Sequence, residues 1–547
     1  MARALARVGP SAAPAGAPPD VGPAPPGPDA APAAIPSPAP RRRSGSPRLC
    51  LTLLLVFSVL TAVGLWQHVM WFDELQAWNI ARASHSLGGL YRNLRYEGHP
   101  LAWYLVLYGV TRFTGDPRAL QLVELVVVTA TAALVLFRSP FTLPVRVAML
   151  AGYSVAFEYG VISRSYSLGL LALVVVLVAL GRPRPAWGAA LAAAALLAWT
   201  SLAGAVLTVA LAAAVALDRR GSPPPAGTER RARRRFVLGA LLAAVGAALT
   251  CLPPRDFHEF TPGLGNLATT GTTRVAHAAT GIWRGLFPIP ARVGAWNSQL
   301  LDRLPAGRLV EAALSLAVFV VVLVGLRSPL ARRLWCLGVI GCELFFAVVV
   351  LPDQARYAGT VFVLFLAVAW LARAPGGGLE PAGTPLGWTR PRRAGAWASV
   401  ALGAVVTAQV VATLAVYPSA TIHPFSPDRA LAEAARAHQL SGALVSDEDF
   451  VATGVGAYLD RSTYSAARRA WTPFFVHDDR QAAGMRAVTP ADAACAAARL
   501  AVDRGRATGL ISARALRGPG LRRLTTVDHV SLYAVTKAAS AGCRRKT

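Results

Sequence analysis

The chain has 547 residues, 54% of them hydrophobic and only 15% charged, with a mean hydropathy of +0.45. A chain this apolar and this long is not a single soluble domain, and an integral membrane protein is the first reading. The formal net charge of +27 does not imply nucleic acid. The basic residues are nearly all arginine and sit in short loops between apolar runs, which is the positive-inside distribution.

Residues 1–48 contain stretches such as GPAPPGPDAAPAAIPSPAP, with too few large apolar residues to offset the entropy of ordering, so a disordered tail is expected. Arg41, Arg42, Arg43 and Arg48 immediately precede the first apolar run and put this tail in the cytoplasm. Runs long enough for a span of about 20 residues follow at 50–69, 117–137, 145–162, 165–181, 186–217, 236–252, 308–326, 334–351, 357–373 and 395–416. Helices must carry them, because unpaired backbone groups are too costly in lipid. The fold class expected is an α-helical polytopic membrane protein with about 11–13 transmembrane helices across 49–416, followed by a small α/β domain.

Basic loops at 218–235, 327–333 and 373–395 mark cytoplasmic points. They place a first loop at 70–99, a second at 253–305, a short one at 352–356 and everything after about 417 on the outer side. The first half is less regular. Seven apolar runs precede residue 218 where an even number is needed, and 101–114 is the one expected to be partial. From 417 to 547 the composition is that of a soluble domain: helix-like 430–440 and 493–503 alternate with strand-like 442–446, 508–512 and 530–536, the pattern of a small α/β unit.

Only Lys537 and Lys546 are lysines, which together with the Ala, Gly and Pro load suggests a GC-rich bacterial genome. Cys50, Cys251, Cys336 and Cys342 lie in or beside apolar runs and behave as small hydrophobes. Cys495 and Cys543 are the pair able to bond, and no spacing suggests a metal site.

Directly after the first span stands WFDELQAW, with Asp73 and Glu74 between tryptophans. Phe72, Leu75, Trp78 and Arg82 share one helical face, and Leu87, Leu90, Tyr91 and Leu94 repeat it after Gly88-Gly89, so two short amphipathic helices lying in the interface are expected. The order FDELQAW, EGHPLAWYLVLYG, EYGVISRSYSLGLLAL, ARYAGTVFVLFLAVAW resembles the GT-C superfamily of membrane glycosyltransferases. The closer resemblance is to the polyprenyl-phosphate-sugar-dependent branch of the protein O-mannosyltransferases and aminoarabinose transferases. It covers roughly 50–220 in motifs and 220–416 in architecture only. One departure is His99-Pro100-Leu101, where a Pro-Pro pair is usual.

The resemblance implies transfer of a sugar from a lipid phosphate to an acceptor hydroxyl on the outer face, with Asp73 as general base and Glu74 orienting it or the acceptor. It implies a polyprenyl-phosphate-linked sugar and the bilayer as partners, an acceptor the sequence does not identify, no nucleic acid, and no cofactor; a divalent cation is not indicated. Glu97 and His99 close the same loop and are expected to face Asp73. Glu158, Arg164 and Tyr166 fall at a junction of two spans, where ionisable groups are costly unless they serve a cavity. Arg164 is the main candidate for donor phosphate. Arg356, with Tyr357, in a short outer loop against the positive-inside trend, is the second, since guanidinium matches phosphate oxygens bidentately; pairing with Asp353 is its bland alternative. Ser446–Asp449 ends a strand where α/β domains bind ligands, although helix capping explains it as well. A transporter or flippase of lipid-linked glycans, or a noncatalytic relative that scaffolds, would also carry such residues. The large outer domain and the carboxylates confined to the first loop favour the enzyme.

Overall fold

The computed structural model describes residues 46–218, 227–258, 267–350, 352–374 and 393–543. The tail expected to be disordered lies outside them up to residue 45, as do parts of the basic loops at 218–235 and 373–395 and of the loop at 253–305. Helix α1 (Pro47–Gln67) begins where Ser46 caps Leu49 N and Pro47 needs no donor. Three short helices follow, α2 (Phe72–Ala83), α3 (Leu87–Leu94) and α4 (Ala102–Val110). At 1.5 Å per residue α4 is only about 13 Å long and cannot cross a bilayer, which removes the run at 101–114 from the count of spans.

Helix α5 (Arg118–Arg138) turns back beside α1. Gln121 donates to Leu65 O at 2.6 Å, joining its start to the end of α1. The next run is broken: α6 (Leu143–Leu150), then a π-helical turn at Ser154–Glu158. Helix α7 (Ser165–Leu180) follows, and the run at 186–217 is a hairpin of α8 (Trp187–Thr200) and α9 (Leu202–Leu217), turned at Ser201, whose hydroxyl caps Gly204 N. With 101–114 removed, the chain returns before residue 218 to the side from which α1 started.

Beyond it come α10 (Gly227–Thr250), then α11 (Leu267–Ala278) and α12 (Gly281–Leu286), which place two helices within the 253–305 segment. The remaining apolar helices are α13 (Gly307–Gly325), α14 (Pro329–Val348), α15 (Ala355–Arg373) and α16 (Arg393–Ile422). Among the described residues five helices are long and apolar enough to cross a membrane, namely α1, α5, α13, α15 and the Ser399–Ala420 part of α16. Helices α7, α8 and α9 are apolar but shorter.

A broken helix at membrane depth needs its freed backbone groups satisfied by protein. Buried Gln409 of α16 accepts from Ser154 N at 3.0 Å and donates to Gly285 O at 3.0 Å, and Thr413 donates to Ala151 O at 2.7 Å.

The C-terminal domain runs in the order α17 (Asp428–Ala437), β1 (Leu444–Ser446), α18 (Asp449–Leu459), β2 (Thr463–Ser465), β3 (Ala470–Thr472), α19 (Asp479–Ala487), α20 (Pro490–Arg504), β4 (Thr508–Ser512), β5 (Leu521–Val527) and β6 (Val530–Val535). The sheet order is β3-β2-β1-β4-β6-β5, with β1 parallel to β2 and β4 and the other neighbours antiparallel. Alternation along the strands sends Leu444, Ile511 and Leu532 toward α17 and α18, and Val445, Leu510 and Tyr533 toward α20. A disulfide joins Cys495 to Cys543.

The first loop differs from the expected interfacial pair. Residues Glu74 to Ala81 of α2 are all buried, because α4 packs on one side and α18 on another. The break falls at Ser84–Ser86 rather than at the glycines, which sit in the first turn of α3 after its Ser86 cap. Helix α3 keeps the amphipathic pattern, burying Leu90 and Leu94 while Leu87 and Tyr91 stay exposed.

Candidate active site

A cavity of about 580 Å³ opens where α2, the 96–99 turn, the starts of α7, α9 and α15, and the C-terminal domain meet, within the size range of ordinary ligand pockets. Its polar lining includes Asp73, Glu97, His99, Arg164, Arg356 and His477, and its apolar lining includes Leu202, Ala203, Phe345, Val349 and Val350.

Asp73 stands in the first turn of α2, and its Oδ2 receives two guanidinium groups. Arg164 Nη1 lies at 3.1 Å, and Arg356 forms a second, closer ion pair with the same oxygen. Arg164 is the N-cap of α7 and Arg356 the second residue of α15, so elements nearly 200 residues apart converge on one atom. Asp353 is not the partner of Arg356. It pairs with Arg284 and His277, each at 3.2 Å. Tyr159 fixes the start of α15 by donating its hydroxyl to Arg356 O at 2.7 Å. Burial pushes the Asp73 carboxyl up, but Arg356 and Arg164 outweigh it and hold the group down at about 2.

Glu97 and His99 flank Gly98, whose φ of 64° is a conformation that strains any residue with a Cβ. The turn puts both neighbours on the cavity. Glu97 accepts from Gln76 Nε2 at 2.7 Å, yet burial raises its carboxyl to about 7 despite that bond and Arg164. His99 is pressed down to about 3 by burial and by Arg164, so it is neutral. Its Nε2, 3.2 Å from Arg164 Nη2, must accept, since guanidinium only donates. His477 is lowered to about 4, chiefly by burial. Tyr166 and Tyr357 also line the cavity; Tyr166 stacks on Tyr159 at 5.5 Å, and Tyr357 lies under the Arg356 guanidinium at 4.9 Å.

Two carboxylates expected in the site do not line it. Glu74, fully buried, accepts from Trp71 N at 3.2 Å, bonds His68 at 2.8 Å and accepts from Ser163 N at 2.8 Å. It therefore ties α2 to the residue before Arg164 and positions that arginine. Glu158 accepts from Tyr153 at 3.0 Å and Trp296 at 2.9 Å. These donors satisfy its buried carboxyl without a ligand.

Sequence reading did not single out Gln76, Phe450 or His477, which complete the site. The Gln76 amide is locked on both sides to the C-terminal domain, donating to Phe475 O at 2.7 Å and accepting from Phe475 N at 3.0 Å. Asn79 donates to Thr453 O at 2.9 Å. Phe450 stacks on Phe475 at 4.4 Å, with Phe72 edge-on at 4.8 Å. His258 N donates to His477 O at 3.0 Å and Asp479 N to Asp256 O at 2.9 Å, so the second loop grips the same domain. Gln76 lies one helical turn after Asp73, a spacing that puts both on one face; nothing in the sequence ties residues 450 or 477 to residue 73. In Ser446–Asp449, Ser446 Oγ accepts from Glu448 N at 2.8 Å and Asp449 accepts from Ser465 and Gln481, each at 2.5 Å. Among the described residues no group of His, Cys, Asp and Glu is placed to hold a metal ion.

No family model and no curated protein matches the chain. Among solved structures it is similar to the crystal structure of ArnT from Cupriavidus metallidurans bound to undecaprenyl phosphate, at 15% identity and a TM-score of 0.46, over 91% of this chain and 100% of that one.

Proposed function

We propose that this chain is a membrane glycosyltransferase of the GT-C type, moving a sugar from a polyprenyl-phosphate donor to an acceptor hydroxyl. The observation that carries the reading is the convergence of Arg164 and Arg356 on Asp73 in a cavity lined by both polar and apolar side chains. A lipid phosphate needs both: cationic donors for its head and apolar surface for the first units of its chain. A phosphodiester donor carries one negative charge and the departing monoester approaches two, so a pair of guanidinium groups binds the leaving state more strongly than the ground state. That difference accelerates transfer.

Orientation follows from charge. Arg138, Arg146, Arg182, Arg184, Arg327, Arg332, Arg333 and Arg373 lie near helix ends or in turns, and their charge favours placing those ends, with the N-terminus, in the cytoplasm. The cavity and the C-terminal domain then face outward from a bacterial cytoplasmic membrane, a compartment that suits the Cys495–Cys543 disulfide. Purified protein incubated with radiolabelled polyprenyl-phosphate sugars and envelope extracts should release polyprenyl phosphate and label an acceptor. Absence of transfer from every donor, together with no binding of polyprenyl phosphate, refutes the reading.

A further inference from the structure

Glycosyl transfer leaves a proton on the attacking acceptor oxygen, and two carboxylates border the cavity to receive it. The Asp73 carboxylate is engaged by both guanidinium groups on one oxygen. Glu97 is placed differently. Its Oε1 is held by Gln76, itself locked to the Phe475 backbone, and among the described residues its Oε2 has no hydrogen-bond partner. Through Gln76, Glu97 is also tied to the C-terminal domain, whose Phe450 and His477 line the same cavity.

Resting on the glycosyl-transfer reading above, we propose that Glu97 takes the proton of the acceptor hydroxyl, while Asp73 is the anion that sets the two arginines for the donor's phosphate. In the step, the acceptor oxygen bonds to the anomeric carbon and the bond from that carbon to the phosphate oxygen breaks. Its electron pair leaves with the phosphate against Arg164 and Arg356, and the hydroxyl proton passes to the Glu97 carboxylate. Protonated Glu97 then returns the proton to water at the open side of the cavity.

The groups facing Glu97 bear this out. Asp73 from α2 and burial favour its protonated form, and Arg164 at the start of α7 favours the ionised one. Tyr104 of α4 and Tyr96 of its own turn are uncharged in this range, and His99 and His477 from the two sides are neutral. The balance near 7 gives a base that is ionised at neutral pH yet strong enough to hold a proton, whereas a carboxylate at about 2 is a weak one.

The test is the pH dependence of transfer at saturating donor for wild type, Glu97→Gln and Asp73→Asn. The wild-type rate should fall as pH drops through about 7. Glu97→Gln should lose about 100-fold or more together with that acidic limb, while still binding polyprenyl phosphate. Asp73→Asn should turn over more slowly but keep the limb. Loss of the limb in Asp73→Asn, or its survival in Glu97→Gln, overturns the assignment. If no donor supports transfer, the infrared difference spectrum between acid and alkaline pH still decides for Glu97. A protonated-carboxyl band that titrates near 7 in wild type and vanishes in Glu97→Gln supports the proposal; the same band in both overturns it, separately from the fate of the glycosyl-transfer reading.

Discussion

Replacing Gln76 by Leu keeps the apolar bulk of the side chain and removes three hydrogen bonds at once, two to the Phe475 backbone and one to Glu97. The Phe475 N–H and C=O lose the amide that pairs with them, in a buried place beside the Phe72, Phe450 and Phe475 rings. Each buried group left unpaired costs about 1–3 kcal/mol, so the docking of the C-terminal domain on α2 should weaken by roughly 2–6 kcal/mol. At about 1.4 kcal/mol per factor of ten, amide exchange at Phe475 should speed up roughly 30-fold to more than a thousandfold, provided it exchanges through undocking. Hydrogen–deuterium exchange in detergent reads this directly, and β4 should keep its protection because it lies in the domain's own sheet. The same change removes the bond that lowers the Glu97 carboxyl, so the acidic limb of the rate profile should move above pH 7. Less than threefold faster exchange at Phe475 would refute the reasoning, for it would mean that the aromatic stack and Asn79 hold the domain without Gln76.

Lysine at Arg164 or Arg356 should weaken binding of the polyprenyl-phosphate donor more than that of the acceptor, because the charge remains but the forked geometry does not; titration calorimetry with polyprenyl phosphate checks it. Asp73→Asn should bind polyprenyl phosphate roughly 10- to 140-fold more tightly, the scale of one charged hydrogen bond, because the competing anion is gone; weaker binding would show that Asp73 is not the phosphate's rival. Cys543→Ser, or reductant, opens a cross-link between residues 48 apart and should cost the C-terminal domain about 4 kcal/mol by the chain-entropy relation, read as a lower denaturant midpoint. With the native free cysteines replaced, His85→Cys before α3 and Ser462→Cys in the C-terminal domain, both at exposed positions, should react with an impermeant thiol reagent on intact cells, and Arg184→Cys should not. Labelling of Arg184→Cys under those conditions would reverse the proposed orientation.

Much of the helical framework was legible because a span of lipid-crossing length leaves a long apolar run with few alternatives. Runs were misread where the backbone breaks inside one: 145–162 is interrupted because Gln409 and Thr413, some 250 residues away, satisfy the open turns. Arg356 stood out as an arginine where the charge rule does not want one and Arg164 as a costly ionisable group at a junction of two spans, and the fold brings both onto Asp73. Glu74 stood out through the resemblance, beside Asp73, and Glu158 carried the same signal as Arg164. Their compensation is local, in Ser163 N and Trp71 N for one and Tyr153 and Trp296 for the other, and a sequence does not reveal whether the compensating group is a ligand or a neighbour. Helix α2 was read as lying in the interface because its second face was unknown; that face is covered by α18, which begins after the last apolar helix.

The late position of that cover has a bearing on biogenesis. Every apolar helix precedes residue 423, whereas Phe450, Phe475 and His477 follow it, so during synthesis the membrane bundle can be complete while the cavity still lacks a wall. A nascent or truncated chain holds the arginine pair without the Gln76–Phe475 lock that orients Glu97. On the proposed function, such a chain would engage lipid phosphates but leave them untransformed. The C-terminal domain would then act as a completion check, with competence for transfer arriving only once that domain has closed over α2.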